Sequence, residues 1–145
     1  MDQQNWQLNS ETVIAVDASI ERLWAVLTDT EDASRCFMGA RVTVGNVGEA
    51  YRLEREDGWG VAGVVLAKDA PRRLRVTWGL KTPPGVTMPN CEVEYVIEPA
   101  AARDASPRLQ LSIREYVDGP VPPPLAQASR TGWAMIARNI KAKFA

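Results

Sequence analysis

The sequence contains no histidine among its 145 residues. Histidine is the commonest general base near neutral pH and a frequent metal ligand in proteins. Catalysis by a Ser-His-Asp or Cys-His arrangement within one chain is therefore excluded. A zinc site would depend on cysteine and carboxylate ligands alone. We expect neither a bound metal nor a cofactor.

Cysteine is also scarce, with Cys36 and Cys91 as its two occurrences. Two cysteines in a chain of this length do not form a disulfide framework. We expect both to be free thiols in a reducing compartment. Residues 1–9 are polar and lack a basic stretch followed by an apolar run, so we expect no signal peptide. The cytoplasm is the expected location.

Long apolar runs and an excess of one charge are missing as well. No stretch approaches the ~18 consecutive apolar residues of a membrane-spanning helix. The chain carries 17 basic and 18 acidic residues, a net charge of −1. This balance gives no electrostatic reason to bind nucleic acid or an anionic membrane.

The apolar periodicity that is present predicts one α+β domain over residues 1–145. A strand is expected over 11–17, followed by two short helices, the first with Ile20, Leu23, Trp24 and Leu27 on one face. From residue 39 the period is two, which predicts strands over 41–45, 49–56, 59–68, 72–80, 91–98 and 108–117. A stiff proline-containing connector over 119–124 then leads to a long helix over 125–144. Sequential antiparallel strands with segregated helices are typical of the α+β class.

Several short segments of the chain, in this order and spacing, resemble the SRPBCC (START/Bet v1-like) superfamily. They are residues 16–19 (VDAS), 23–24 (LW), 27–29 (LTD), 63–65 (GVV), 71–74 (PRRL), 76–78 (VTW) and 132–133 (GW). Within that superfamily the sequence is most similar to the Hsp90 ATPase activator homologue type (Aha1 C-terminal-like). The resemblance implies a helix-grip fold, in which a curved seven-stranded antiparallel sheet surrounds the C-terminal helix and leaves a cavity. The chain departs from the family pattern near Cys36, where an aromatic residue is expected, and near Ile113, where a histidine is frequent.

Strand parity identifies the side chains that would face this cavity. Leu74, Val76, Trp78 and Leu80 share one face, and so do Cys91, Val93, Tyr95 and Ile97. Both sets would meet Trp133 of the long helix. A filled core explains most of these positions. The functional interpretation is a pocket lined by large side chains, some with a polar group: Tyr51, Trp78, Tyr95, Ile113, Trp133 and Met135.

Two charged residues, Glu115 and Arg55, fall on the apolar side of their strands by parity. A charge that faces a dry interior is costly unless it is paired. Both could lie at the open rim, or form a buried pair that fixes the polar head of a ligand. A shift of strand register would give a third explanation.

The segment 58–63 (GWGVAG) matches the spacing of a dinucleotide-binding loop. That motif requires a helix after the glycines, and here a strand pattern follows. The glycines are better explained by crowding in a bent strand.

Three functions remain open from the sequence. The first is binding of a small, mostly apolar molecule in the cavity. The second is a protein-interaction module with a chaperone or another protein as partner, which the family resemblance implies. The third is a cyclase- or hydrolase-type enzyme, as some members of the superfamily are, with Glu115 or another buried carboxylate as the base.

Overall fold

The computed structural model describes residues 6–82, 84–100 and 109–144. The helices are α1 Ile20–Thr28, α2 Thr30–Cys36 and α3 Pro123–Lys143. The strands are β1 Gln7–Val16, β2 Arg41–Val44, β3 Ala50–Glu54, β4 Gly60–Asp69, β5 Arg73–Thr77, β6 Gly79–Leu80, β7 Cys91–Pro99 and β8 Leu109–Val117. The predicted order of elements is confirmed, and residue 108, the predicted start of the last strand, lies outside the described residues.

All strands join in one antiparallel sheet with the order β1-β8-β7-β5-β4-β3-β2, and the short β6 pairs with β4. Helix α3 buries Trp133, Ile136, Ala137 and Ile140 in the same core as the inward residues of the sheet. The predicted arrangement of one antiparallel sheet against the C-terminal helix is therefore confirmed, with eight described strands in place of the predicted seven. No helix in the described ranges is long and apolar enough to cross a membrane.

The helix starts follow from capping residues in the sequence. Ser19 accepts a hydrogen bond from the backbone N–H of Arg22 at the start of α1. Asp29 accepts from two backbone N–H groups at the start of α2. Helix α3 begins two residues before the predicted start, at Pro123. The backbone N–H groups of the first helical turn have no partner within the helix. Proline, which has no N–H group, is therefore tolerated at this position.

The predicted strand over 72–80 is interrupted at Trp78, which separates β5 from β6. The backbone N–H of Trp78 donates to the carbonyl of Cys91 at 2.8 Å. A Cβ added at Gly63 would overlap the carbonyl oxygen of Thr77, and one at Gly79 would overlap that of Ala62. Within the segment 58–63, crowding therefore explains Gly63 but not Gly58, which has no atom within 4 Å of an added Cβ and adopts a φ of +89°.

The outer face of the sheet carries a row of ion pairs across four strands. Arg73 donates to Glu94 at 2.6 Å, and Arg75 donates to Glu92 at 2.8 Å. On the neighbouring strands, Arg114 of β8 donates to Glu11 of β1 at 2.7 Å. Glu92 and Glu94 are each 8% exposed because the arginine side chains cover them. The charged side chains thus take the outer face that parity predicts.

Candidate functional site

A recess opens at the end of the sheet where β5 is interrupted at Trp78. Its volume is about 680 Å³. The segment 81–90, between β6 and β7, supplies many of its lining residues. The apolar lining consists of Trp6, Trp78, Leu80, Val86, Met88 and Pro89. The recess is therefore a concave surface with two indole rings, next to the buried core.

The polar side chains that border the recess are those of Thr77, Thr82, Thr87, Asn90, Cys91 and Glu92. No lysine or arginine is among its described lining residues. Asn90 donates to the carboxylate of Asp118 at 2.8 Å.

Four of the residues predicted to line a pocket form one aromatic cluster under α3. The ring centroids of Trp78 and Trp133 are 5.2 Å apart, those of Tyr51 and Trp78 5.9 Å, and those of Tyr95 and Trp133 6.2 Å. These rings pack against one another, and of the four only Trp78 borders the recess. The cluster thus forms part of the core behind the recess.

Two phenol groups face each other inside this cluster. The hydroxyls of Tyr51 and Tyr95 are 3.1 Å apart, within hydrogen-bonding distance. Both side chains are at most 1% exposed. Burial raises the pKa of each phenol above its ordinary value, so both stay neutral at physiological pH.

Glu115 of β8 is a buried carboxylate that is held by uncharged donors. It is 1% exposed. Its Oε1 accepts from Ser129 of α3 at 2.5 Å, from Ser10 at 3.2 Å and from Asn9 at 3.3 Å. Its Oε2 accepts from the Cys91 thiol at 3.4 Å. Within the described residues, no lysine or arginine lies within ion-pair distance of this carboxylate.

The thiol of Cys91 lies between Glu115 and the recess. Burial raises the pKa of this thiol strongly, and the neighbouring carboxylates, Glu115 first, raise it further. The thiol therefore stays protonated and acts as a weak donor rather than as a nucleophile. In the part of the chain that is described, no group of three cysteine or acidic residues is placed to hold a metal ion.

The structure does not bring Arg55 and Glu115 together. Arg55 follows the end of β3, where it forms an ion pair with Asp57 at 3.0 Å and stacks over the Trp59 ring. The rim explanation is thus correct for Arg55 and wrong for Glu115, and the idea of a buried pair between them is wrong. The reason is that Arg55 lies in the β3–β4 turn, while Glu115 lies within a central strand.

Met135 and Ile113 also differ in their placement. Met135 is 42% exposed on the outer side of α3, because it lies two residues beyond the buried Trp133 and so about 200° around the helix. It does not face the interior. Ile113 is 1% exposed and is paired with Tyr95 across β7 and β8. It belongs to the core behind the recess.

Sequence reasoning missed Trp6 and the segment 86–90 as parts of the recess. Strand β1 begins four residues before its predicted start, which brings Trp6 to the end of the sheet. The signal that could have identified Trp6 is its position in the sequence, as a large aromatic residue just before a strand and separated from the other apolar residues of that strand.

Comparison with solved structures shows the same fold in several proteins. Protein MLL2253 of Mesorhizobium loti matches with a TM-score of 0.76 and 16% identity, over 92% of this chain and 93% of that one. Protein CV1439 of Chromobacterium violaceum matches with a TM-score of 0.70 and 16% identity, over 93% of this chain and 96% of that one. DynU16, a protein in the dynemicin biosynthetic locus, matches with a TM-score of 0.74 and 18% identity, and 96% of this chain covers 46% of that larger protein.

A comparison of the sequence with curated proteins gives no match. The family model described as "Activator of Hsp90 ATPase homolog 1-like protein" matches residues 17–145. This match covers most of the chain and agrees with the helix-grip fold. The protein therefore belongs to the Activator of Hsp90 ATPase homolog 1-like family of the SRPBCC superfamily.

Proposed function

We propose that the protein binds a small, mostly apolar molecule in the recess at the end of the sheet, against the core between the sheet and α3. The observation that carries this proposal is the recess itself, with Trp6 and Trp78 in its wall. A volume of about 680 Å³ falls within the ~300–1,000 Å³ range of small-molecule sites. The half-buried indole of Trp6 provides contact area at a small cost in conformational entropy, whereas Trp78 is 6% exposed and belongs mainly to the core.

The expected affinity is moderate. A ligand that buries about 250 Å² of apolar surface gains about 6 kcal/mol at about 25 cal/mol per Å², before the costs of association. A gain of about 6 kcal/mol corresponds to a dissociation constant of about 40 μM, so apolar contact alone provides binding no tighter than tens of micromolar. Polar contacts would have to supply any tighter binding.

The test is a titration with Nile red, a neutral apolar dye whose fluorescence rises in apolar surroundings. The wild-type protein should bind it with a dissociation constant of about tens of micromolar. Val86→Trp fills the recess with an added ring and should abolish binding. The matched control Val47→Trp places the same ring at a position that is 60% exposed and outside the recess, and it should leave binding unchanged.

Equal binding of Nile red by both variants would show that the dye binds outside the recess. No binding by the wild type would contradict a role in carrying apolar molecules. That result would favour the second candidate function, an interaction module for a chaperone of the Hsp90 type. This candidate is based on the description of the matched family.

The enzyme alternative rests on Glu115 and gains less from the geometry. This carboxylate does not border the recess, since Cys91 stands between them. A substrate in the recess would reach Glu115 only after the thiol had moved.

A further inference from the structure

The electrostatic character of the recess is negative on the side of Cys91. Three carboxylates act on the Cys91 thiol, those of Glu115, Glu92 and Asp118. Arg75 neutralises Glu92 from the outer face of the sheet. No arginine or lysine does so for Glu115 among the described residues, nor does any line the recess. A molecule in the recess therefore meets a buried negative charge and no positive one.

The two oxygens of Glu115 are not equally satisfied. Oε1 accepts hydrogen bonds from Ser129, Ser10 and Asn9. Oε2 accepts only from the Cys91 thiol within the described residues. A carboxylate oxygen has two lone pairs, and a thiol is a weak donor. Oε2 therefore keeps acceptor capacity on the side that is nearest to the recess.

One side chain, that of Cys91, separates this oxygen from the recess. Cys91 both borders the recess and contacts Oε2 at 3.4 Å. The cysteine side chain is short, and a change of its single χ1 angle would withdraw the sulfur from Oε2. A donor on a bound molecule could then take the place of the thiol.

We propose that the recess selects an organic cation, an amine with an aromatic or alkyl body, whose ammonium group donates to Glu115 Oε2 in place of the Cys91 thiol. This inference rests on the proposed function and names the class of its ligand. The apolar body lies against Trp6 and Trp78, and an ammonium group near an indole face gains a cation–π attraction. Hydrogen bonds between ionised partners are roughly twice as strong as neutral ones. The buried carboxylate rejects an anion, since like charges repel.

The test compares three molecules with one naphthalene body: naphthylmethylamine, naphthylmethanol and naphthoate. Calorimetric titrations at constant ionic strength and neutral pH give the three affinities. We expect the amine to bind the wild-type protein about tenfold more tightly than the alcohol, since the ammonium group adds a charge–charge attraction to the hydrogen bond that a hydroxyl can also donate to the carboxylate. Naphthoate should bind more weakly than the alcohol.

Two variants locate the selectivity. Glu115→Gln keeps the shape of the side chain and should remove the preference for the amine while leaving the affinity for the alcohol unchanged. The control Glu98→Gln removes an exposed carboxylate of the same sheet and should preserve the preference. If Glu115→Gln does not fold, Cys91→Ala provides an independent test. That change removes the thiol from Oε2 and should raise the affinity for the amine more than that for the alcohol, and an equal change for both would refute the assignment to Glu115.

The outcomes separate this inference from the proposed function. If amine and alcohol bind the wild type equally, the recess binds apolar molecules and the cation selectivity is refuted. If Glu98→Gln removes the preference as Glu115→Gln does, the selectivity comes from general surface charge and the assignment to Glu115 is wrong. If none of the three molecules binds, the proposed function fails as well.

Discussion

Replacing Ser129 by alanine removes the shortest hydrogen bond to the buried carboxylate of Glu115. A hydrogen bond to a charged group contributes about 1.5–3 kcal/mol to stability. Alanine is a better helix former than serine by up to about 0.5 kcal/mol, which offsets part of this loss. Ser10 and Asn9 still donate to the same oxygen, so the lower part of the range applies. We expect Ser129→Ala to lower the free energy of unfolding by about 1–2 kcal/mol.

Urea denaturation provides the measurement, with midpoint shifts compared at constant slope. Thr131→Ala is the matched control on the same helix, because Thr131 is exposed and its contact with Gln127 is long, at 3.5 Å. That variant should be neutral or slightly stabilising. Any destabilisation of Ser129→Ala relative to it then reports the bond to Glu115 rather than a change in helix propensity.

A double-mutant cycle with Glu115→Gln identifies the partner. In the glutamine background Ser129 bonds to a neutral amide, and its removal should cost about 0.5–1.5 kcal/mol. The expected coupling is therefore about 1 kcal/mol. A coupling below about 0.5 kcal/mol would refute the view that α3 is held to the sheet through this carboxylate.

Three other predictions follow from the structure. Arg75→Met should lower the free energy of unfolding by about 1–3 kcal/mol, because it removes the cation that pairs with Glu92 and Glu94. The control Arg35→Met removes an exposed ion pair that contributes about 0–1 kcal/mol. Equal urea midpoints for the two variants would contradict the prediction. Burial raises the pKa of Cys91 and Tyr95, so the folded state keeps protons that the unfolded chain releases at high pH. The urea midpoint should therefore fall as the pH rises above about 8.5, and Tyr95→Phe should reduce the fall above about pH 10. A urea midpoint that does not change with pH would refute this prediction. If the protein acts on a chaperone of the Hsp90 type, its addition should raise the chaperone's ATPase rate, and an unchanged rate across a titration would exclude this activity.

The fold could be predicted from the sequence because its periodicities are clear. Alternation over 72–80 and 91–98 placed Leu74, Val76 and Tyr95 inside, and the structure agrees. The spacing of apolar residues in the last helix predicted that Trp133 would face the sheet. The interruption at Trp78 was not predicted, because it depends on close backbone contacts between β4 and β6, which local pattern does not contain.

The hydrogen-bond partners of Glu115 were harder to predict than the face of the sheet on which its side chain lies. Parity placed this carboxylate on the inner face, and the structure confirms that it lies inside. Its donors come from the start of β1, from β7 and from α3, which are far apart in the sequence. Such a set of donors can be predicted only when the register of both neighbouring strands and the position of the helix are known. The same limit explains why Arg55 was considered as its partner.

The contact between the indoles of Trp78 and Trp133 has a spectroscopic consequence. Their centroids are 5.2 Å apart and their planes are inclined at 39°, one ring on the sheet and the other on α3. Transition dipoles at this distance and inclination couple, which produces paired bands of opposite sign in circular dichroism. This signal arises only when α3 is docked, while the backbone signal at shorter wavelength arises whenever the helix is formed. The protein thus carries a natural optical probe that separates helix formation from helix docking.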